Sequence, residues 1–478
     1  MSKKHVVVVG AGQGGLSAAI HLRLAGHRVL VVHDGPIGGK AARVEKDGYR
    51  LDPGPSIVIL PKIYRDVFEA AGRRMDDYLR FTRLDPISRV LFEGTPPLDL
   101  PADRDACLRL VGDIDAHDRD SLAQLLDIGD KVAPHIEASV FRKPYHQPWQ
   151  MADPHLIATA MRFDVKKTYR ELVDGMFRSP LLRAFFYGFP SYGGQTYDSK
   201  APGALMIPYL MIQKGVFYPE GGVAAIPEAF ARLAKELGVE FRTGKATGLT
   251  HANGRATGLK LEGGETIAAD AFVCNADRLQ VARWLGRPTD VPPSLSYFTV
   301  HWGVKAELEG LEHHTLLVPK DFEKGFEDLY RRRAFPTPPI VYLNATSKLD
   351  PSTAPPGRTN LFAVVTSPSQ EPHLDWKRDL PLYRDLVVRE IARFGWDIDA
   401  IGTDFERTQS PDVFAARDGN HRGSLYGPDE AHRLFGGLFP LRCKDESIKN
   451  LFYCGGSVQP GAGMPMVTLS GRFAADLI

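Results

Sequence analysis

The chain has 478 residues, 43% of them hydrophobic and 24% charged, with 59 basic and 58 acidic side chains and a net charge of +1. That length suits about two to three domains, and the balanced charge gives no reason to expect a nucleic-acid partner or a broad attraction to anionic lipid. Four cysteines without a CxxC pair argue against a disulfide framework or a metal centre and point to reduced thiols in a cytoplasm.

The N-terminus, MSKKHVVVVG, enters a strand directly and shows no signal-peptide core. Val6–Val9 is a continuous apolar run, as a buried parallel strand requires. Gly10, Gly12 and Gly15 then spell GxGxxG, and a helix follows with Leu16, Ile20 and Leu24 on one face and Gly26 as its stop. The helix N-terminus offers free N–H groups and a partial positive charge to a pyrophosphate. A second strand, Val29–Val32, ends at His33, where a dinucleotide fold usually places Glu or Asp on a ribose hydroxyl. Asp34 comes one residue late, so register favours His33, whose imidazole serves a hydroxyl as donor or acceptor. No arginine lies in the turn to take a 2′-phosphate, which disfavours NADP.

Two more turns come early, GGKAA (38–42) and LDPGPSIVI (51–59). Gly38 and Gly39 bring backbone amides to phosphate, Lys40 adds a charge, and the rigid Asp52–Ser56 turn suits the edge of a flat ring. Together they indicate a ligand longer than NAD, of the flavin type. In mid-chain we expect a helix over 224–237, a strand over 239–242, a strand pair around HANG (251–254), and a strand at AFVCNAD. The stretch 154–194 is oily, basic in places and helical. It reads either as core-facing helices or as a lid over a hydrophobic channel that rests on a bilayer. The longest apolar run, ALMIPYLMI (204–212), is broken by Pro208, so no membrane span is expected.

His313 and His314 have no third histidine nearby, so we expect no metal. Asp52 and Glu220 lie in turns and are read as turn caps rather than proton acceptors; no catalytic base is assigned. At the far end, 450–478 reads as a strand, a Gly455-Gly456 turn, a glycine-rich loop and a helix starting near Met464–Val467. The dipole of that helix would stabilise negative charge on a reduced flavin.

The set GAGQGG, GGKAA, DPGPS, YPEGGVAAIPEAFARLAKELGVEF, CNAD and GGSVQPGAGMP resembles the bacterial phytoene desaturase (carotenoid desaturase) family of FAD-dependent oxidoreductases, nearly end to end. HH at 313–314, DPSTAPPG (350–357) and GSLYG (423–427) extend the likeness outside the nucleotide motifs. The resemblance implies an α/β fold: a Rossmann-type FAD-binding domain with an inserted α+β substrate domain, as in amine oxidases. We expect residues 1–85, 216–285 and 415–478 to bind FAD, and 86–215 and 286–414 to hold the substrate and contact a membrane.

Carried onto this chain with the turns above, the FAD contacts are Gly10, Gly12, Gln13, Gly14, Gly15, His33, Asp34, Gly39, Lys40, Ala41, Pro55, Ser56, Ala246, Asn275, Gly455, Gly456 and Met466. The implied activity is desaturation of a long carotenoid or isoprenoid chain by hydride transfer to flavin, at a peripheral membrane surface. Isomerase, saturase and diapocarotenoid terminal oxidase are alternatives on the same fold, as is an amine oxidase. A prenyl-lipid carrier without flavin chemistry is the alternative of another class, against which the intact glycine turns argue. The number of desaturation steps and the oligomeric state are left open. Three departures stand out: His33 replaces Glu, Lys40 stands where Arg is common, and the C-terminal loop reads Pro465-Met466.

Overall fold

The computed structural model describes residues 3–145, Pro154, 166–200, 202–429 and 441–478. The segment 154–194 therefore lies partly outside the described residues.

Branched valines without polar atoms make His5–Val9 a strand, with Val6 to Val9 buried. It lies third in a five-stranded parallel sheet ordered 451–453, 271–274, 5–9, 28–33, 240–243. The alternate faces of the sheet serve two partners. Val6, Val8, Val29 and Val31 pack under the helices Gln13–Leu24 and Ala225–Glu236. Val7, Val9 and Val32 pack against an antiparallel three-stranded sheet of 246–252, 255–261 and 266–268. The first two of those strands are joined by Asn253 and Gly254, both at positive φ, as a two-residue hairpin with the right twist demands. The first helix ends as expected at Gly26: its N–H donates to Arg23 and the N–H of His27 donates to Leu22, closing a Schellman motif.

A second sheet has seven strands, ordered 403–409, 296–304, 359–367, 341–345, 314–318, 88–92, 98–100. Here the residues alternate strictly. Phe298, Val300, Trp302, Leu361, Ala363 and Val365 turn to one side, where Tyr383, Val387, Val388 and Ile391 of the helix Trp376–Arg393 cover them. Tyr297, Thr299, Phe362, Val364 and Tyr342 turn to the other side and face a cavity.

The five parallel strands all fall within 1–85, 216–285 and 415–478, and the seven within 86–215 and 286–414. One element crosses an expected boundary: the helix Pro411–Asp418 straddles residue 415. The helices Tyr169–Met176 and Pro180–Tyr187 turn their apolar sides inward, burying Tyr169, Val173, Phe177, Phe186 and Tyr187. The run around Pro208 is not one helix but successive 3-10, α and π turns over 202–214. No helix among the described residues is long and apolar enough to cross a membrane. The four cysteines are buried and free, and burial pushes the Cys107, Cys274 and Cys443 thiols up to about 12.

The C-terminal strand is held by a buried carboxylate. Asp445 accepts from Arg287 at 2.6 and 3.0 Å, from the Tyr453 hydroxyl at 2.6 Å, and from the Ser447 and Ile448 N–H groups. Burial alone would raise its pKa; Arg287, Tyr453 and the two N–H groups outweigh burial and hold it far below the usual carboxylate range. The stability this gives is present above the unfolded-state value near 4 and is lost as pH falls toward the folded value. Asp445→Asn should cost about 3 kcal/mol at pH 7, the low end for a broken buried pair because Arg287 is partly exposed. In urea titrations the gap between wild type and variant should narrow below about pH 4.

Candidate functional site

Three stretches of backbone meet around one side chain. Asn275 follows the strand Ala271–Cys274, and its N–H donates to Val9. Its side-chain amide lies in a ring of glycines. A Cβ on Gly12 would stand 2.5 Å from Asn275 Oδ1, and Cβ atoms on Gly14 and Gly455 would stand 3.0 and 2.9 Å from Nδ2. That Nδ2 donates to the Cys454 carbonyl at 3.2 Å. The amide thus ties the first turn to the C-terminal turn, and only residues without a side chain fit around it. The second turn joins through Gly38, whose N–H donates to Ala11 at 2.8 Å. The third joins through Gly54, where a Cβ would stand 2.0 Å from the Lys40 carbonyl oxygen.

These turns form one end of a cavity of about 980 Å³, at the upper end of the ~300–1,000 Å³ typical of small-molecule sites. Gly10, Gly12, Gln13, His33, Asp34, Gly39, Lys40, Ala41, Pro55, Ser56, Ala246, Asn275, Gly455 and Gly456 all line it. The same cavity runs on, without a break, between Phe185, Phe189, Leu316, Phe326, Leu329 and Ile340.

Three of the expected contacts are not among the residues that line the cavity. Gly14 and Gly15 are not in the lining; they are packing positions. A Cβ on Gly15 would strike the Gly10 carbonyl oxygen at 2.1 Å, and one on Gly14 would press on Gly455 N at 3.1 Å. Met466 is also off the lining. The C-terminal helix Met464–Asp476 presents Met464 and Val467 to the cavity, because residues three apart share its open end and Met466 turns to the core.

His33 is the last residue of its strand, and its register against Thr243 is fixed. Its Nδ1 lies 2.8 Å from the Gly35 carbonyl oxygen. A carbonyl only accepts, so in the neutral ring Nδ1 carries the proton and Nε2 keeps a lone pair. Phe241 meets the ring edge-on at 6.3 Å. The imidazole is therefore oriented, with an acceptor free for a hydroxyl.

Asp52 and Glu220 stay out of the cavity lining. The Asp52 carboxylate accepts from the Val223 and Ala224 N–H groups at 2.8 and 3.2 Å and fixes the start of the helix Ala225–Glu236. Glu220 is exposed. The two adjacent histidines are both buried and their rings touch at 4.3 Å. Asn344 Nδ2 lies 3.2 Å from His313 Nε2, and the Tyr342 hydroxyl lies 2.6 Å from His314 Nδ1. Burial lowers His313 to about 4 and His314 well below its usual value, so both are neutral at physiological pH.

Several lining residues were not foreseen. Asp277 caps the helix Arg278–Trp284 at the nucleotide end, and burial raises its pKa against the pull of Lys40. Its place two residues after Asn275, ahead of a helix, was the available signal. Tyr192, Tyr297, Tyr342 and Tyr426 line the apolar part. They come from distant strands and loops, and only Tyr426, inside GSLYG, lay in a motif.

The model of the flavin-containing amine oxidoreductase family matches residues 14–478. The chain is 32% identical to a zeta-carotene-forming phytoene desaturase of Myxococcus xanthus, over 99% of this chain and 93% of that protein. It is 30% identical to a 4,4′-diapolycopene oxygenase of Methylomonas, over 99% and 98%. This chain belongs to the carotenoid desaturase group of the flavin-containing amine oxidoreductases. Among solved structures, an oxidoreductase from Methanosarcina mazei shares the fold with a TM-score of 0.63 at 16% identity, covering 98% of each chain.

The cofactor of this family is FAD, and the site fits it. The cavity is long, its glycine turns leave backbone close to the lumen, and two helices begin at its wall. The side-chain oxygen Gln13 Oε1 is buried there without a partner among the described residues. His33→Ala should leave the purified flavoprotein with a several-fold larger Kd for FAD, measured by flavin fluorescence after gel filtration, and His33→Glu should restore retention. Gly12→Ala should yield a colourless protein, because its methyl group would meet Asn275 Oδ1.

Proposed function

We propose that this protein desaturates a long acyclic polyene of the carotenoid type, using FAD. The observation that carries this reading is the single cavity, polar at the glycine turns and apolar beyond them. A substrate without ionisable groups needs a dry, shaped wall more than it needs acids and bases. Phe185, Phe189, Leu316, Phe326, Leu329 and Ile340 supply that wall. FAD, when bound, supplies the hydride acceptor.

We assign the phosphate end to Gly12, Gly39 and Lys40, the ribose to His33, and the ring edge to Pro55 and Ser56. The free N–H groups at the start of the helix Met464–Asp476 favour negative charge at the ring. The tunnel residues hold the chain in register and keep water out. We also propose that the protein collects its substrate at a membrane surface. The insolubility of a long polyene supports this; the large apolar side chains exposed outside the cavity, Leu24, Ile114, Leu349 and Leu382, are scattered. Oxidation of a terminal methyl group is the second reading, favoured by the similarity to the diapolycopene oxygenase.

Purified holoprotein supplied with phytoene or dehydrosqualene in liposomes should shift the absorption of at least one of them to longer wavelength as conjugation grows. An unchanged spectrum with FAD bound would overturn the desaturase reading, and a shift to shorter wavelength would select a saturase. A shift confined to carbonyl-type bands would select terminal oxidation.

A further inference from the structure

The apolar section of the tunnel contains a group of hydroxyls that a hydrocarbon cannot satisfy. Tyr192 lines the cavity and is 37% exposed, yet burial drives its phenol pKa far up. The ring packs against Phe189 at the cavity wall, their centroids 5.8 Å apart. Its hydroxyl has no hydrogen-bond partner among the described residues.

The neighbouring hydroxyls are already committed. The Tyr426 hydroxyl donates to Tyr297 at 3.0 Å, with the two rings edge to face at 6.2 Å. The Ser191 hydroxyl donates to the Gly188 carbonyl at 2.6 Å. The Tyr342 hydroxyl is held between Ser56 at 2.9 Å and His314 at 2.6 Å. Tyr192 interacts electrostatically with both Tyr297 and Tyr342, so the phenols converge on one stretch of lumen. A second atom is unsatisfied beside them: Thr299 Oγ1, on the same face of the sheet as Tyr297, is buried without a partner among the described residues. Donors taken from water and faced with hydrocarbon lose their hydration with nothing in return. A sequence that wanted only a greasy wall would place Phe and Val there.

We propose that Tyr192, backed by Tyr297, Tyr426 and Thr299, forms a socket for an oxygen atom on the substrate, a hydroxyl or carbonyl borne by the polyene. The Tyr192 O–H donates to that oxygen, and the ordered Tyr426–Tyr297 pair keeps the other phenols from closing the socket. The proposal rests on the polyene reading and narrows it: an oxygenated polyene is preferred over the bare hydrocarbon.

The test uses the purified FAD holoprotein and a matched pair of probes, an acyclic polyene and the same polyene with one terminal hydroxyl, both in liposomes. Binding is read from quenching of protein fluorescence. Wild type should bind the hydroxylated chain about fivefold more tightly, the worth of one neutral hydrogen bond. Tyr192→Phe removes the hydroxyl and breaks no bond within the described protein, so it should fold with an unchanged Tm. It should bind both chains alike, with the affinity wild type has for the hydrocarbon. Equal binding of the two chains by wild type, or a preference that survives in Tyr192→Phe, would overturn the socket while leaving a polyene site intact. Binding of neither chain would remove the polyene reading and the socket with it.

Discussion

The structure depends on how closely backbone approaches the Asn275 amide. Gly12, Gly14 and Gly455 reach this side chain from two ends of the sequence, and any Cβ at those positions would meet it at 2.5 to 3.0 Å. The cost of a side chain there is steric overlap with a group that is itself anchored, through its own N–H to Val9 and its Nδ2 to Cys454. Because the amide cannot retreat, the first and last turns share one wall, and a cavity opens above them. Removing the glycines would separate parts of the chain that are more than four hundred residues apart.

The rest of the site follows from that junction. The parallel sheet delivers five strand ends to one side, which is where helix N-termini and turns can serve a charged ligand. The seven-stranded sheet closes the opposite side, and its period-two alternation gives it two unlike faces. One is a packed core under the helix Trp376–Arg393; the other is a tunnel wall. The two sheets need no shared strand, because the cavity itself joins polar turns to apolar wall.

His33 shows how a family departure is absorbed. An acid at this position would bring a fixed negative charge. The imidazole instead keeps a ring acceptor, because the Gly35 carbonyl fixes its tautomer. The change sits at the glycine-turn end of the cavity, so the apolar wall is untouched by it.

Much of this could be read from the residues. The valine runs, the spacing of Gly10, Gly12 and Gly15, the Asn-Gly hairpin and the stop at Gly26 act through local geometry, and each formed where its pattern placed it. Local patterns failed where the neighbour lies far away in sequence. Gly14 shares a motif with Gly12, but it packs onto Gly455, more than four hundred residues away. Met466 lost its place to Met464 and Val467 for the same reason.

What the sequence by itself determined is the parallel nucleotide fold, the family, and the order of its turns, since each of these rests on short motifs that are legible one at a time. Only the tertiary structure decided which face of each helix meets the cavity. It also decided that Tyr192, Tyr297, Tyr342 and Tyr426 stand together. The reason is physical: orientation about a helix axis and proximity across a sheet are set by long-range packing, which no short window of residues contains.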